Sequence, residues 1–169
     1  MSRYLPLFSA AITLALVSVT RAAARALLAD LAVGDLVALR ALVSGRRTRG
    51  RLDARLDTEK QDTLLTWAAR HGQAEAVRLL LEAGASVGAT TGGGASALYT
   101  ACQEGQIECA RLLVEAGAAT DQADAEGRTP LFVASEKGQL EIARLLVEAN
   151  AAVDQADDEG TTPLSAASL

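Results

Sequence analysis

Apolar and polar positions between Thr129 and Glu159 alternate in a way that defines two short helices and a turn. Leu131 and the small pair Ala134-Ser135 share one side of a first segment, and Ile142, Leu145 and Leu146 share one side of a second. Helical spacing of these positions predicts helices over Pro130 to about Lys137 and over Leu140 to Ala149. Thr129 before Pro130 is a helix start: the hydroxyl can cap free amides, and proline in the first turn forfeits no amide partner. Gly138 ends the first helix, because the residue after a helix usually takes a left-handed conformation. Asn150 ends the second for the same reason, asparagine and glycine being the residues that tolerate positive φ. Asp154 to Gly160 is a polar turn, after which Thr162-Pro163-Leu164 repeats Thr129-Pro130-Leu131 at a step of 33 residues.

The same step taken backwards lands on Ser96-Ala97-Leu98 and Thr63-Leu64-Leu65. It also links Gly72, Gly105 and Gly138, and then Gly84, Gly117 and Asn150. A fixed period of this size predicts an all-α solenoid of stacked helix pairs, each repeat burying its apolar face on its neighbours. The repeats run over residues 58–90, 91–123 and 124–156, with a partial copy at 157–169. Residues 25–57 read as a degenerate N-terminal repeat and an arginine-rich loop. Leu27 to Val33 forms its first helix, Gly34 its stop, and Asp35 to Val43 a second helix like Leu140 to Glu148. Gly34 to Gly72 is 38 residues, so extra residues fall in the loop from Arg46 to Arg55, which holds five arginines in ten positions. That loop reads as a solvated segment, with a surface for anionic groups or for the acidic turns of the same chain as the other readings. The last copy has no second helix, so apolar surface on the Leu140–Ala149 helix is expected to lie open and residues 157–169 to exchange amide hydrogens fastest. A fragment is the reading preferred for that ending.

The pattern resembles the ankyrin repeat, whose fingerprint is T-P-L-H-x-A on this period. The resemblance covers about residues 58 to 169. It implies antiparallel helix pairs joined by β-turn fingers, forming a concave face that binds a protein partner. The histidine slot of the fingerprint holds Thr66, Tyr99, Phe132 and Ser165 here, so the polar tie of that position is expected to be missing. Tyr99 and Phe132 are expected there as half-buried packing. Carried over by the 33-residue step, the partner-binding positions are Trp67, Arg70 and His71; Thr100, Gln103 and Glu104; Val133, Glu136 and Lys137; and Arg128 on a finger. Trp67 with Arg70 is the sharpest pair, since binding hot spots favour Trp, Tyr and Arg.

Charge divides the chain. Residues 1–57 carry a balance of +5 and residues 58–169 one of −10, for −5 overall. An acidic array argues against a nucleic-acid backbone as partner. Catalysis is not expected either. His71 is the single histidine, in a variable slot at a helix end, and Asp157-Asp158-Glu159 lacks the spacing of a calcium loop. The run Thr91-Gly92-Gly93-Gly94 fills a turn slot without the Lys-Ser/Thr of a phosphate loop. Cys102 and Cys109 sit where other copies place packed residues, which predicts inert buried thiols. No cofactor and no metal is implied.

Residues 1–24 hold an apolar segment with no charge between Tyr4 and Thr20. It reads as a secretory signal with an Ala22-x-Ala24 site, as a membrane anchor, or as a cap helix over the first repeat. As an anchor, contact with the membrane falls to residues 4–20, and the arginines that follow place the array in the cytoplasm. The functional reading is a monomeric protein-binding scaffold, cytoplasmic in its repeat array. The alternative is an exported or membrane-tethered interaction factor.

Overall fold

The computed structural model describes residues 61–167 together with 26, 28–30, 34–44, 52–53 and 56. The signal, anchor or cap reading of residues 1–24 lies outside these, as does most of the Arg46–Arg55 loop. Among the described residues no helix is long and apolar enough to cross a membrane.

Each repeat begins where a hydroxyl caps a helix. Thr63, Ser96, Thr129 and Thr162 accept from the backbone N–H three residues on, starting α2 (Leu64–Arg70), α4 (Ala97–Gln103), α6 (Pro130–Glu136) and α8 (Pro163–Ala166). Between them lie α3 (Ala74–Glu82), α5 (Ile107–Glu115) and α7 (Leu140–Glu148), preceded by α1 (Val37–Ser44). The expected terminators hold: Gly72, Gly84, Gly105, Gly117, Gly138 and Asn150 all have positive φ.

The first helices α2, α4, α6 and α8 pack in one row, and α3, α5 and α7 in a second, with each pair also packed across the rows. α1 rests on α3, so it joins the second row, as its likeness to Leu140–Glu148 anticipates. Leu65, Leu98 and Leu131 line the core between first helices, and Leu80, Leu113 and Leu146 line it in the second row. Leu52, next to Asp53 in the arginine-rich loop, is also buried. Asp53 accepts from the Ser86 N–H at 2.8 Å, which fastens that loop to the end of the first clear repeat.

Among the described residues α8 is less covered than α6. Leu164 occupies the slot of Leu131 but is 79% exposed where Leu131 is 4% exposed. Leu140 and Val147 of α7 are exposed as well.

Two expectations are corrected by this packing. Tyr99 and Phe132 are fully inside rather than half-buried. The histidine slot also keeps polar ties in three copies. Thr66 Oγ1 accepts from Thr63 N–H at 2.8 Å, and Ser165 Oγ accepts from Thr162 N–H at 2.9 Å, each closing a capping box. Tyr99 reaches further, to the finger of the next repeat.

Candidate functional site

The turn segments at residues 88–96, 121–129 and 154–162 form the second, third and fourth fingers. Each is closed by a backbone hydrogen bond across its base: Thr91 N–H to Ala95 O, Asp124 N–H to Arg128 O and Asp157 N–H to Thr161 O. Ahead of α2, Leu56 N–H donates to Asp62 O. Neighbouring fingers are tied at their tips, Ala125 N–H donating to Gly93 O at 3.0 Å and Asp158 N–H to Glu126 O at 3.2 Å.

A carboxylate stiffens two of the fingers. Asp124 Oδ1 accepts from the N–H groups of Glu126 and Arg128, and Asp157 Oδ1 accepts from those of Glu159 and Thr161. Asp124 Oδ2 meanwhile accepts from the Tyr99 hydroxyl at 2.7 Å and from Nη2 and Nε of Arg128 at 2.8 and 3.1 Å. Burial pushes the Asp124 carboxyl up, but these hydrogen bonds outweigh it and hold the group below the usual carboxylate value. Tyr99 moves the other way: burial first, then the hydrogen bond to Asp124, keep its phenol well above the ordinary range. The second finger has Thr91 in the place of Asp124, so this carboxylate brace is missing from it.

A cleft of about 370 Å³ opens between these fingers and the first helices. Arg70, Gln103 and Arg128, from three consecutive repeats, line it together with Gln61, Gly93 and Glu126. Arg70 Nη2 donates to the buried carboxylate of Asp62 at 2.8 Å, and Glu104 stands 3.8 Å from Nη1. His71, Glu136 and Lys137 are exposed at the helix ends beside this face.

Three sequence-predicted positions fall elsewhere. Trp67, Thr100 and Val133 are buried, Trp67 being 8% exposed, and the outward placement expected for them is corrected. The reason is that α4 and α6 each have a first helix on both sides and their own second helix behind, while α2 packs on α4 and α3 and His71 covers its Trp67. Only the last turn and cap of each escape, so the positions of Arg70, Gln103 and Glu136 and of His71, Glu104 and Lys137 come out one turn later. His71 covers Trp67 directly: the rings stack with centroids 4.0 Å apart, and His71 Nδ1 lies 2.8 Å from Trp67 O. Asp124, Tyr99 and Thr91 were missed as cleft residues. A readable signal existed, since Asp124 and Asp157 share a slot that Thr91 breaks.

Cys102 and Cys109 are buried, and burial pushes the first thiol up to about 12 and the second up to about 11. Among the described residues no group of three or more His, Cys, Asp or Glu side chains is placed to hold a metal ion.

The profile of ankyrin repeats, in three copies, matches residues 23–124 and 116–169. With hydroxyl-capped helix pairs stacked in two rows and turns linked along one side, the chain belongs to the ankyrin repeat family. It is a protein–protein interaction module of a fold that is in general non-catalytic. No curated protein matches the sequence.

Proposed function

We propose that this chain is a scaffold whose concave, finger-side face holds a segment of a partner protein. The observation that carries the reading is the convergence of Arg70, Gln103 and Arg128, each from a different repeat, on one cleft. Contacts spread over several repeats suit an extended partner segment, because each repeat adds a similar increment of surface. His71, Glu104, Glu136 and Lys137 rim the same face and differ from copy to copy, so they supply selectivity. The opposite side offers less, its second helices repeating one pattern of Glu and Arg (Glu75 with Arg78, Glu108 with Arg111).

The test compares charge reversals on the two sides of the array. Proteins captured from extract by the tagged full chain are quantified beside those captured by a Glu104→Lys/Lys137→Glu variant and by a Glu108→Lys/Arg111→Glu variant. Loss of the captured set with the first variant and its retention with the second supports finger-side docking. The reverse pattern overturns it.

An exported or tethered form of the same module rests on the uncharged stretch from Tyr4 to Thr20. Cleavage near Ala24 supports export, and retention in the pellet after a carbonate wash supports a tether. A full-length chain found in the wash supernatant contradicts both.

A further inference from the structure

Arg70 beside the cleft has more donors than the described residues satisfy. Nη2 is committed to Asp62, but among the described residues neither Nε nor Nη1 has a hydrogen-bond acceptor, although both are buried. Glu104 at 3.8 Å is an ionic neighbour of Nη1, too distant for a hydrogen bond. Buried donors in this condition are unfavourable, and a guanidinium can serve acceptors along more than one edge. The open volume beside it leaves room for an acceptor from outside the chain.

Charge decides which kind. Asp62 already balances Arg70, while Asp124 and Glu126 more than balance Arg128, and Glu104 adds another carboxylate. Counted over the described residues, an incoming carboxylate or phosphate therefore meets surroundings that are negative on balance. A cationic side chain would face Arg70 and leave its donors unserved. An uncharged acceptor avoids both difficulties. The other lining groups suit an amide: Gln61 and Gln103 carry carboxamides, and Glu126 offers an exposed acceptor.

The second finger lines the cleft beside Arg70. It is Thr91-Gly92-Gly93-Gly94, it lacks the carboxylate brace of the next two, and its tip is tied to the third finger through Gly93 O. Because Nε and Nη1 are buried, a docked acceptor reaches them only if this finger shifts, pivoting before Ser96, which caps α4.

We propose that the cleft is the anchor pocket for an uncharged carboxamide side chain, Gln or Asn, carried by the docked partner segment. Arg70 donates to its carbonyl oxygen, and Gln103 and Glu126 accept from its NH2 group. The proposal rests on the finger-side docking reading above and adds the chemistry of the residue that enters.

The test uses the immobilised full chain and short peptide pools with one central position fixed as Gln, Asn, Glu, Lys or Leu among random Ala, Gly, Ser and Thr. The Gln and Asn pools should be retained about five-fold better than the others, the worth of one well-made hydrogen bond. Arg70→Lys, which keeps a cation beside Asp62, and Gln103→Ala should each flatten that preference, with thermal unfolding confirming that both variants fold. Glu108→Gln on α5 should leave it intact. A preference for Glu or Lys, no preference, or one that survives in both cleft variants overturns the pocket. Equal retention of every pool that is lost in the cleft variants overturns the pocket alone. Retention that no finger-side variant alters removes the docking reading too, and retention of no pool overturns the pocket and leaves docking to the captured-partner test.

Discussion

The hydroxyl of Tyr99 donates to Oδ2 of Asp124 across 2.7 Å, joining the first helix of one repeat to the finger of the next. The same oxygen accepts from Arg128, so one carboxylate sets the position of both the finger and the cation it presents to the cleft. Tyr99→Phe is expected to lower stability by about 1 kcal/mol, the net worth of a single hydrogen bond. Asp124→Ala removes the brace as well and should cost more, about 2 to 3 kcal/mol, because its bonds are charge-assisted. Urea unfolding of the two single variants and the double variant checks this; a double variant equal to the sum of the singles contradicts a shared network.

Acid should weaken this network selectively. The Asp124 carboxyl is held below its ordinary value of 3.8 in the folded chain, so its contribution is present above that value and is lost as pH falls through the lower, folded one. The stability gap between the wild-type chain and Asp124→Asn should therefore narrow as the solution is acidified below about pH 4. A gap that stays constant down to the acid unfolding limb would show that the carboxylate is not held in this way.

The two cysteines should be silent towards thiol reagents. Both are buried and their thiols lie at about 12 and about 11 against an ordinary 9.0, so at pH 8 the folded chain carries almost no thiolate. Labelling should follow global unfolding, with urea bringing both groups up together. The sign at alkaline pH is also set. The unfolded chain ionises these thiols first, so stability falls as pH rises above about 9, and replacing both by Ala should flatten that fall. Rapid labelling in native buffer would contradict the packing of α4 against α5.

Glycines of like backbone geometry should differ in cost. Gly117 and Gly127 have φ of +82° and +77°, but a Cβ on Gly117 meets nothing within 4 Å while one on Gly127 falls 2.9 Å from the Asp158 nitrogen. Gly117→Ala should cost about 1 kcal/mol for the left-handed backbone alone. Gly127→Ala should cost more, because it also pushes apart the tips of the third and fourth fingers. Gly117→Asn should be milder than Gly117→Ala, since Asn150 fills the same slot at φ +62°. Thermal unfolding ranks the three, and equal costs at positions 117 and 127 would contradict the close approach of the fingers.

One leucine slot is buried in α6 and exposed in α8. Leu131→Ala should cost about 2 to 5 kcal/mol as a core truncation. Leu164→Ala, at the corresponding exposed site, should change stability by less than about 0.5 kcal/mol. Amide exchange of this chain should show Ala166 and Ala167 less protected than Val133, in line with the exposure of Leu164 beside them.

Much of this architecture is legible in the letters, because a short repeat must place its breakers and caps in the same slots each time. Thr129-Pro130, Gly138 and Asn150 are enough to place α6 and α7 within a residue. What escapes is the direction of side chains on helices only seven residues long. Helical periodicity assumes one wet face, whereas α4 and α6 are covered on three sides and α2 by α3, α4 and His71, so Trp67, Thr100 and Val133 lie in contact with neighbours that no local pattern reveals. Hydroxyls at Thr66 and Ser165 look like substitutes without a polar role until their spacing from Thr63 and Thr162 is set against the capping box. The Tyr99–Asp124 bond spans 25 residues and depends on the stacking itself.

The central claim is that a partner lies along the fingers, and hydrogen exchange of the full chain with and without a captured partner tests it most directly. Slowed exchange at residues 91–95 and 124–128 and at the ends of α2 and α4, with α3, α5 and α7 unchanged, is the predicted result. Protection confined to the second-helix row, with the fingers exchanging as freely as before, would contradict it.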